Sequence, residues 1–255
     1  MMMHNRLMML VARNKANAKP CSVVAAATAD GESTMYLYDS IVSTNLEADY
    51  YGGVSAEALV PQLRAIKGGT LHLHINSPGG DVFAAQAIVA AIRDCKANVI
   101  AHIDGLAASA ATVVATAADT IEMSDGALFM IHCGWCMTMG NATDMRATAA
   151  LLDKVDAVIA DQYAKRTGMT TDAVLTLMQA ETWMSASEAQ TMGFVSDVCG
   201  PSKTKNEWDL SVYAKAPMPE PKVEEPAPAP EPETVSNEYR DHQSRQVKML
   251  IATRQ

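Results

Sequence analysis

TLHLHINSPGGDVFAAQAIVAAIRDC, residues 70–95, is the stretch on which the fold turns. Leu71, Leu73 and Ile75 alternate with His72 and His74, the period-two pattern of a strand with one apolar face. Asn76-Ser77-Pro78-Gly79-Gly80-Asp81 follows as a sharp turn, and a helix runs from about Val82 to Cys95. The same order then repeats: a strand over 98–103, a turn over 104–107, and a helix from about Ser109 to Ala118. Further strands are expected near 120–123 and 127–131. Strand–turn–helix units repeated along a chain imply a sheet with packed helices, an α/β class.

Upstream, Tyr36-Leu37-Tyr38 reads as a strand and the acidic, Gly-containing run to Gly53 as a loop. A helix over 55–66 sets Ala58, Leu59, Leu63 and Ile66 on one face, and Gly68-Gly69 ends it. Downstream, a long helix is expected from Thr143, as N-cap, to Arg166, stopped by Gly168. A shorter helix begins near Thr170. Ser185-Ala186-Ser187-Glu188 has the spacing of a capping box and opens a helix closing at Gly193, after which Phe194-Val195 starts a last strand.

The chain thus divides into a lead-in over 1–34, a core domain over 35–200, and a tail over 201–255. Within the tail, APMPEPKVEEPAPAPEPET (216–234) is a Pro/Glu/Ala tract that cannot bury a core and reads as an extended acidic linker. Residues 235–255 are polar and basic with a little apolar periodicity and read as a disordered tail, a short partner-binding helix being the alternative.

Composition excludes several functions. Of 255 residues, 49% are apolar, enough for a sizeable core, and the 5% aromatic share with abundant Ala and Met favours close helix packing. A net charge of −9 without a basic stripe argues against nucleic acid as partner. The five cysteines, Cys21, Cys95, Cys133, Cys136 and Cys199, lack framework spacing and suit reduced thiols in a cytosol-like compartment. Residues 1–12 carry no cleavage region of a secretory signal. The stretch 99–118 comes nearest to a membrane span, but it holds His102, Asp104, Gly105 and Ser109, so a buried functional segment is the better reading. A soluble, cytoplasmic protein that binds neither membrane nor nucleic acid is expected.

Three segments suit acyl chemistry, which needs an activated hydroxyl, an imidazole, an orienting carboxylate and paired N–H donors. Ser109 follows a strand at a helix start, where unpaired N–H groups face outward, amid Gly and Ala that let a substrate backbone approach. By itself the segment also describes an ordinary N-cap serine. Ser77-Pro78-Gly79-Gly80 can turn an N–H toward a ligand, or be a plain tight turn; with no Gly-Lys-Ser/Thr following, it is not a phosphate loop. His132 closes the apolar run Leu128-Phe129-Met130-Ile131, at a strand end. His72 and His74 share a strand's polar face, His102 lies inside a strand, and His4 and His242 lie in the tails. Cys133 and Cys136 form a C-x-x-C, but without a second Cys/His pair at finger spacing no metal is expected.

Together these segments resemble the ClpP peptidase family. The matching pieces run in family order over about residues 35–199: Ile75-Asn76-Ser77-Pro78-Gly79-Gly80, Gly105-Leu106-Ala107-Ala108-Ser109, Met130-Ile131-His132, then Trp183-Met184-Ser185-Ala186-Ser187-Glu188-Ala189 with Gly193-Phe194-Val195. The resemblance implies a serine endopeptidase with a crotonase-like spiral of ββα units and a protruding handle helix over about 143–166. By position it puts the nucleophile on Ser109, the base on His132, and the oxyanion donors on the N–H groups of Gly80 and Ala110. The family's aspartate falls on Glu181, whose extra methylene changes its reach; Asp153, Asp156 and Asp172 have no positional match.

The resemblance also implies a homo-oligomeric ring acting on polypeptide and needing no cofactor, any ATP dependence coming from a separate ATPase. Tyr36-Leu37-Tyr38-Asp39, the 73–83 segment, the 104–109 segment and Ala180-Glu181-Thr182-Trp183 look most like the ClpP-like head maturation proteases of phages and prophages, which process capsid or scaffold proteins inside the prohead. Alternatives are a housekeeping Clp subunit, a crotonase-fold acyl-CoA enzyme, and an inactive structural component of the same fold.

Overall fold

Apolar alternation along the chain builds a parallel sheet in the computed structural model, which describes residues 31–201 and 208–217. The strands are β1 (Glu32–Leu37), β2 (Ile41–Val42), β3 (Val54–Ser55), β4 (Thr70–Ser77), β5 (Asn98–Ala108), β6 (Thr120–Ser124), β7 (Leu128–Ile131), β8 (Thr182–Ser185) and β9 (Asp197–Cys199). The helices are α1 (Asn45–Tyr51), α2 (Ala56–Ala65), α3 (Val82–Asp94), α4 (Ala110–Ala115), α5 (Ala142–Thr167), α6 (Thr171–Gln179) and α7 (Ala186–Thr191). These elements lie in the first of two units, Met1–Ala216, the second being Pro217–Gln255. The expected lead-in up to residue 30, and the linker and terminal segment beyond Pro217, lie outside the described residues.

The main sheet runs β1-β4-β5-β6-β9, all parallel, while β2 and β3 form a small separate pair. The apolar side chains of the alternating strands (Met35, Leu37, Leu71, Leu73, Ile75, Ala101, Ile103) are fully buried in one core with α3 and α4. The opposite face carries His72, His74, His102, Asp104 and Glu122. There the His74 and His102 rings stack at 4.6 Å, and their Nδ1 atoms meet Asp104 at 2.8 Å and Glu122 at 3.1 Å. The polar strand face of the sequence is thus a paired histidine ladder.

The turn expected over 104–107 is not one; β5 runs through it to Ala108. The strand changes neighbours there. Up to Ile103 it pairs with β6, and from Leu106 it pairs with β7, which carries β8 antiparallel on its other edge. Asp-Gly is a turn signature, but the ladder with β7 from Leu106 onward keeps the chain extended past it. This changeover brings the ends of β5 and β7 together.

Other differences are local. The acidic loop contains α1, opened by a Thr44/Glu47 capping box; it buries no residue, so no apolar period announced it. The long helix α5 is capped by Asn141 rather than Thr143, with Asp144 completing the box, and ends at left-handed Gly168 as expected. Only Ile159, Ala160 and Tyr163 of α5 are buried, while Met145 and Leu151 are about half exposed, as befits a protruding handle. Phe194 and Val195 are core residues ahead of β9, not part of a strand. Phe194 packs on Phe129 of β7 at 5.3 Å and on Tyr163 at 5.6 Å, fixing the root of the handle to the strand that leads to His132.

Candidate active site

Ser109 stands at the junction of β5 and α4 with φ 55° and ψ −127°. A serine in this region is strained, and such strain is held only where surrounding bonds over-determine it. Here its N–H donates to Met130 O at 2.9 Å, and its carbonyl accepts from Thr112 N at 3.0 Å and Thr112 Oγ1 at 2.5 Å. Thr112 Oγ1 in turn meets the Tyr163 hydroxyl at 2.6 Å, anchoring the junction to α5. Ser109 caps no helix N–H with its side chain, so its hydroxyl is left for other partners. His132, one residue past β7, brings Nε2 to 2.7 Å from Ser109 Oγ.

The Gly79-Gly80 turn lies against this pair. Gly79 (φ 94°) is so close that a Cβ on it would come within 2.7 Å of Ser109 Cβ and 3.1 Å of Ala110 N. Gly80 bridges Ile41: Ile41 N donates to Gly79 O at 2.8 Å, and Asp81 N to Ile41 O at 2.9 Å. With its neighbours' groups turned toward Ile41, strand alternation turns the Gly80 N–H away from it. Ala110 opens α4, where helical N–H groups have no intrahelical acceptor. Gly80, Ser109, Ala110 and His132 line one cavity of about 380 Å³, which Val113, Leu152, Val155 and Ile159 also line.

Burial pushes His132 from 6.5 down to about 4, with Glu181 pulling weakly the other way. The imidazole is therefore neutral at physiological pH, the form able to accept a proton. Because its folded pKa lies below the unfolded value, its contribution to stability is complete above pH 6.5 and lost as pH falls through about 4. The gap amounts to on the order of 3 kcal/mol. Urea unfolding at pH 7 and pH 4.5 should show a smaller loss of stability on acidification in His132→Gln than in wild type; equal losses would contradict the shift.

Glu181 does not hydrogen-bond His132. Its backbone is left-handed (φ 49°), and its carboxylate accepts from Trp183 Nε1 at 3.2 Å, Ala214 N at 3.0 Å and Lys215 N at 2.6 Å. Asp156 accepts from Gly134 N at 2.6 Å; burial, reinforced by the Asp156 charge, pushes the adjacent Cys133 thiol up to about 12 and keeps it protonated. Among the described residues Cys95, Cys133, Cys136 and Cys199 are free thiols, and no cluster of three or more His, Cys, Asp or Glu is arranged to hold a metal ion. No helix among them is long and apolar enough to cross a membrane.

Tyr213 escaped the sequence reading. It is buried, its ring packs edge-on against His132 at 5.3 Å, and its hydroxyl donates to Pro78 O at 2.5 Å. With Val212 it completes a second apolar cluster on Leu106, Ala108 and Met130, which Trp208 and Leu210 flank. The apolar spacing of Trp208, Leu210 and Val212 was the available signal, hidden beside the proline-rich tract.

The Clp protease family model matches residues 41–202, more than half of the chain. The ATP-dependent Clp protease proteolytic subunits of Streptococcus pneumoniae strains Hungary19A-6 and TIGR4 are each 33% identical over 132 residues, 50% of this chain and 67% of theirs. A point mutant of ClpP1 from Listeria monocytogenes superposes with a TM-score of 0.55 at 24% identity, over 66% of this chain and 91% of that one, and so shares the fold. On the family match over 41–202, supported by the shared fold, the chain belongs to the Clp protease family of serine peptidases.

Proposed function

We propose that Ser109 is the nucleophile of an endopeptidase that works through an acyl-enzyme, with His132 as general base. The observation carrying this reading is the 2.7 Å contact between His132 Nε2 and Ser109 Oγ, on one cavity with the N–H groups of Gly80 and Ala110. Ser109 Oγ attacks the peptide carbonyl carbon while His132 takes the hydroxyl proton. The N–H groups of Gly80 and Ala110 hold the oxyanion, each donor contributing about 3–4 kcal/mol in comparable enzymes. His132 returns the proton to the leaving amine, and water, activated by the same imidazole, releases the acid. Glu181 is the acid that steadies the imidazolium, and its charge already acts on His132.

A fluorophosphonate probe tests the assignment: the intact protein should gain one adduct, mapping to Ser109. An adduct at another residue would sink it.

The biological role follows from the segments quoted above and from the Pro/Glu tract: processing of capsid or scaffold proteins during phage head maturation, in the bacterial cytoplasm or prohead, by a homo-oligomeric ring whose 201–255 tail targets it to that assembly. A second reading, a proteolytic subunit fed by a separate ATPase, is favoured by the names of the Streptococcus relatives. Co-expression with a head scaffold protein should yield Ser109-dependent fragments without any added ATPase. Degradation that starts only when a Clp ATPase and ATP are supplied would favour the second reading.

A further inference from the structure

Residues 208–216 pack on His132, bond Glu181 and fasten to Pro78 ahead of the glycine pair. The Tyr213 hydroxyl has a single proton and gives it to Pro78 O, since a carbonyl oxygen can only accept. Burial keeps that phenol protonated, and its ring lies edge-on to the His132 imidazole at 5.3 Å. The same segment engages the acid: the amides of Ala214 and Lys215 both donate to Glu181, while Lys215 Nζ donates to Ala180 O. Trp208 Nε1 fastens the other end, donating to Asn76 Oδ1 at 3.0 Å, just ahead of the Gly79-Gly80 turn.

Resting on the reading of Ser109 as nucleophile and Glu181 as its acid, we propose that residues 208–216 form an autoinhibitory strap, in which the Ala214 and Lys215 amides hold Glu181 off His132 and Tyr213, bonded to Pro78 O, is the positioning residue that pins the strap against the imidazole. The strap lies beyond residue 202, where the match to the family ends, so it is an addition to the catalytic domain. It is seated on an apolar patch (Leu106, Ala108, Met130) beside the cavity and forms part of the cavity wall through Tyr213. When the strap lifts, the Glu181 carboxylate is stripped of two amide donors and becomes available to the Nδ1–H of His132. No proton is gained or lost, so the switch operates at constant charge.

The test is the rate of fluorophosphonate labelling at Ser109 in the full chain. Tyr213→Phe keeps the ring on His132 and removes only the hydroxyl. It should label about tenfold faster than wild type, the effect of losing the one buried hydrogen bond that pins the strap to Pro78 O. Lys215→Pro removes an amide donor to Glu181 without altering a side chain that touches Ser109, and should also label faster. It serves as the second variant if Tyr213→Phe does not fold. A purely structural strap predicts unchanged or slower labelling in both, with a lower Tm, and that result would overturn the proposal. Absence of any adduct in wild type and both variants would instead refute Ser109 as nucleophile, and the strap proposal with it. Faster labelling that persists in Ser109→Ala would also overturn it, because the reacting group would then be another residue.

Discussion

Ser109→Ala is expected to reduce peptide hydrolysis by on the order of 10⁵-fold or more while leaving the fold intact. The size of the effect follows from the loss of the only atom proposed to form a covalent bond with substrate. The intact fold follows from what the hydroxyl does not do. It caps no helix N–H, and the strained backbone of Ser109 is held by Met130 O and Thr112, neither of which uses the side chain. Alanine keeps the same Cβ, so no new clash arises at the junction. Turnover of a fluorogenic peptide and the thermal midpoint, measured side by side, check both halves. Retained turnover would remove Ser109 from the mechanism. A collapsed midpoint would mean that the hydroxyl supports the fold in a way its hydrogen bonds do not indicate.

Gly80→Ala should damage both activity and stability. A Cβ there would sit 2.1 Å from Ile41 O and 2.6 Å from Ile41 N, contacts with backbone that no side-chain rotation relieves. The φ of 151° adds strain that L-residues rarely tolerate. Overpacking and strain together should cost about 2–4 kcal/mol. The turn must shift, carrying the proposed oxyanion donor with it, and turnover should fall by about a hundredfold or more. Denaturant unfolding gives the first effect and the rate on a short peptide gives the second. A variant as stable and active as wild type would show that the turn does not need glycine. The two substitutions differ in kind, since Ser109→Ala removes chemistry from an intact frame and Gly80→Ala distorts the frame that positions the chemistry.

The strands and helices that form this frame were legible because each obeys a local rule. Leu71, Leu73 and Ile75 alternate, and Ser185 and Glu188 have the capping-box spacing that the helix uses. Where local rules competed with pairing between distant segments, the sequence misled. Asp104-Gly105 carries a turn signature, yet β5 continues because β7 supplies hydrogen-bond partners. Helix α1 went unread because it buries nothing.

For the site, the sequence by itself determined which residue types were available, and the resemblance carried by four ordered motifs led to the proposal that Ser109 works with His132 and Gly80 with Ala110. Only the tertiary structure decided that the end of β5 meets the end of β7, putting 2.7 Å between two side chains that are 23 residues apart. It alone decided that Glu181 faces the amides of Ala214 and Lys215, and that Tyr213 lies on His132. The physical reason is range. Alternation, capping and turn chemistry are written in neighbouring residues, whereas the partners of a carboxylate or a phenol are fixed by whichever distant segment packs beside it.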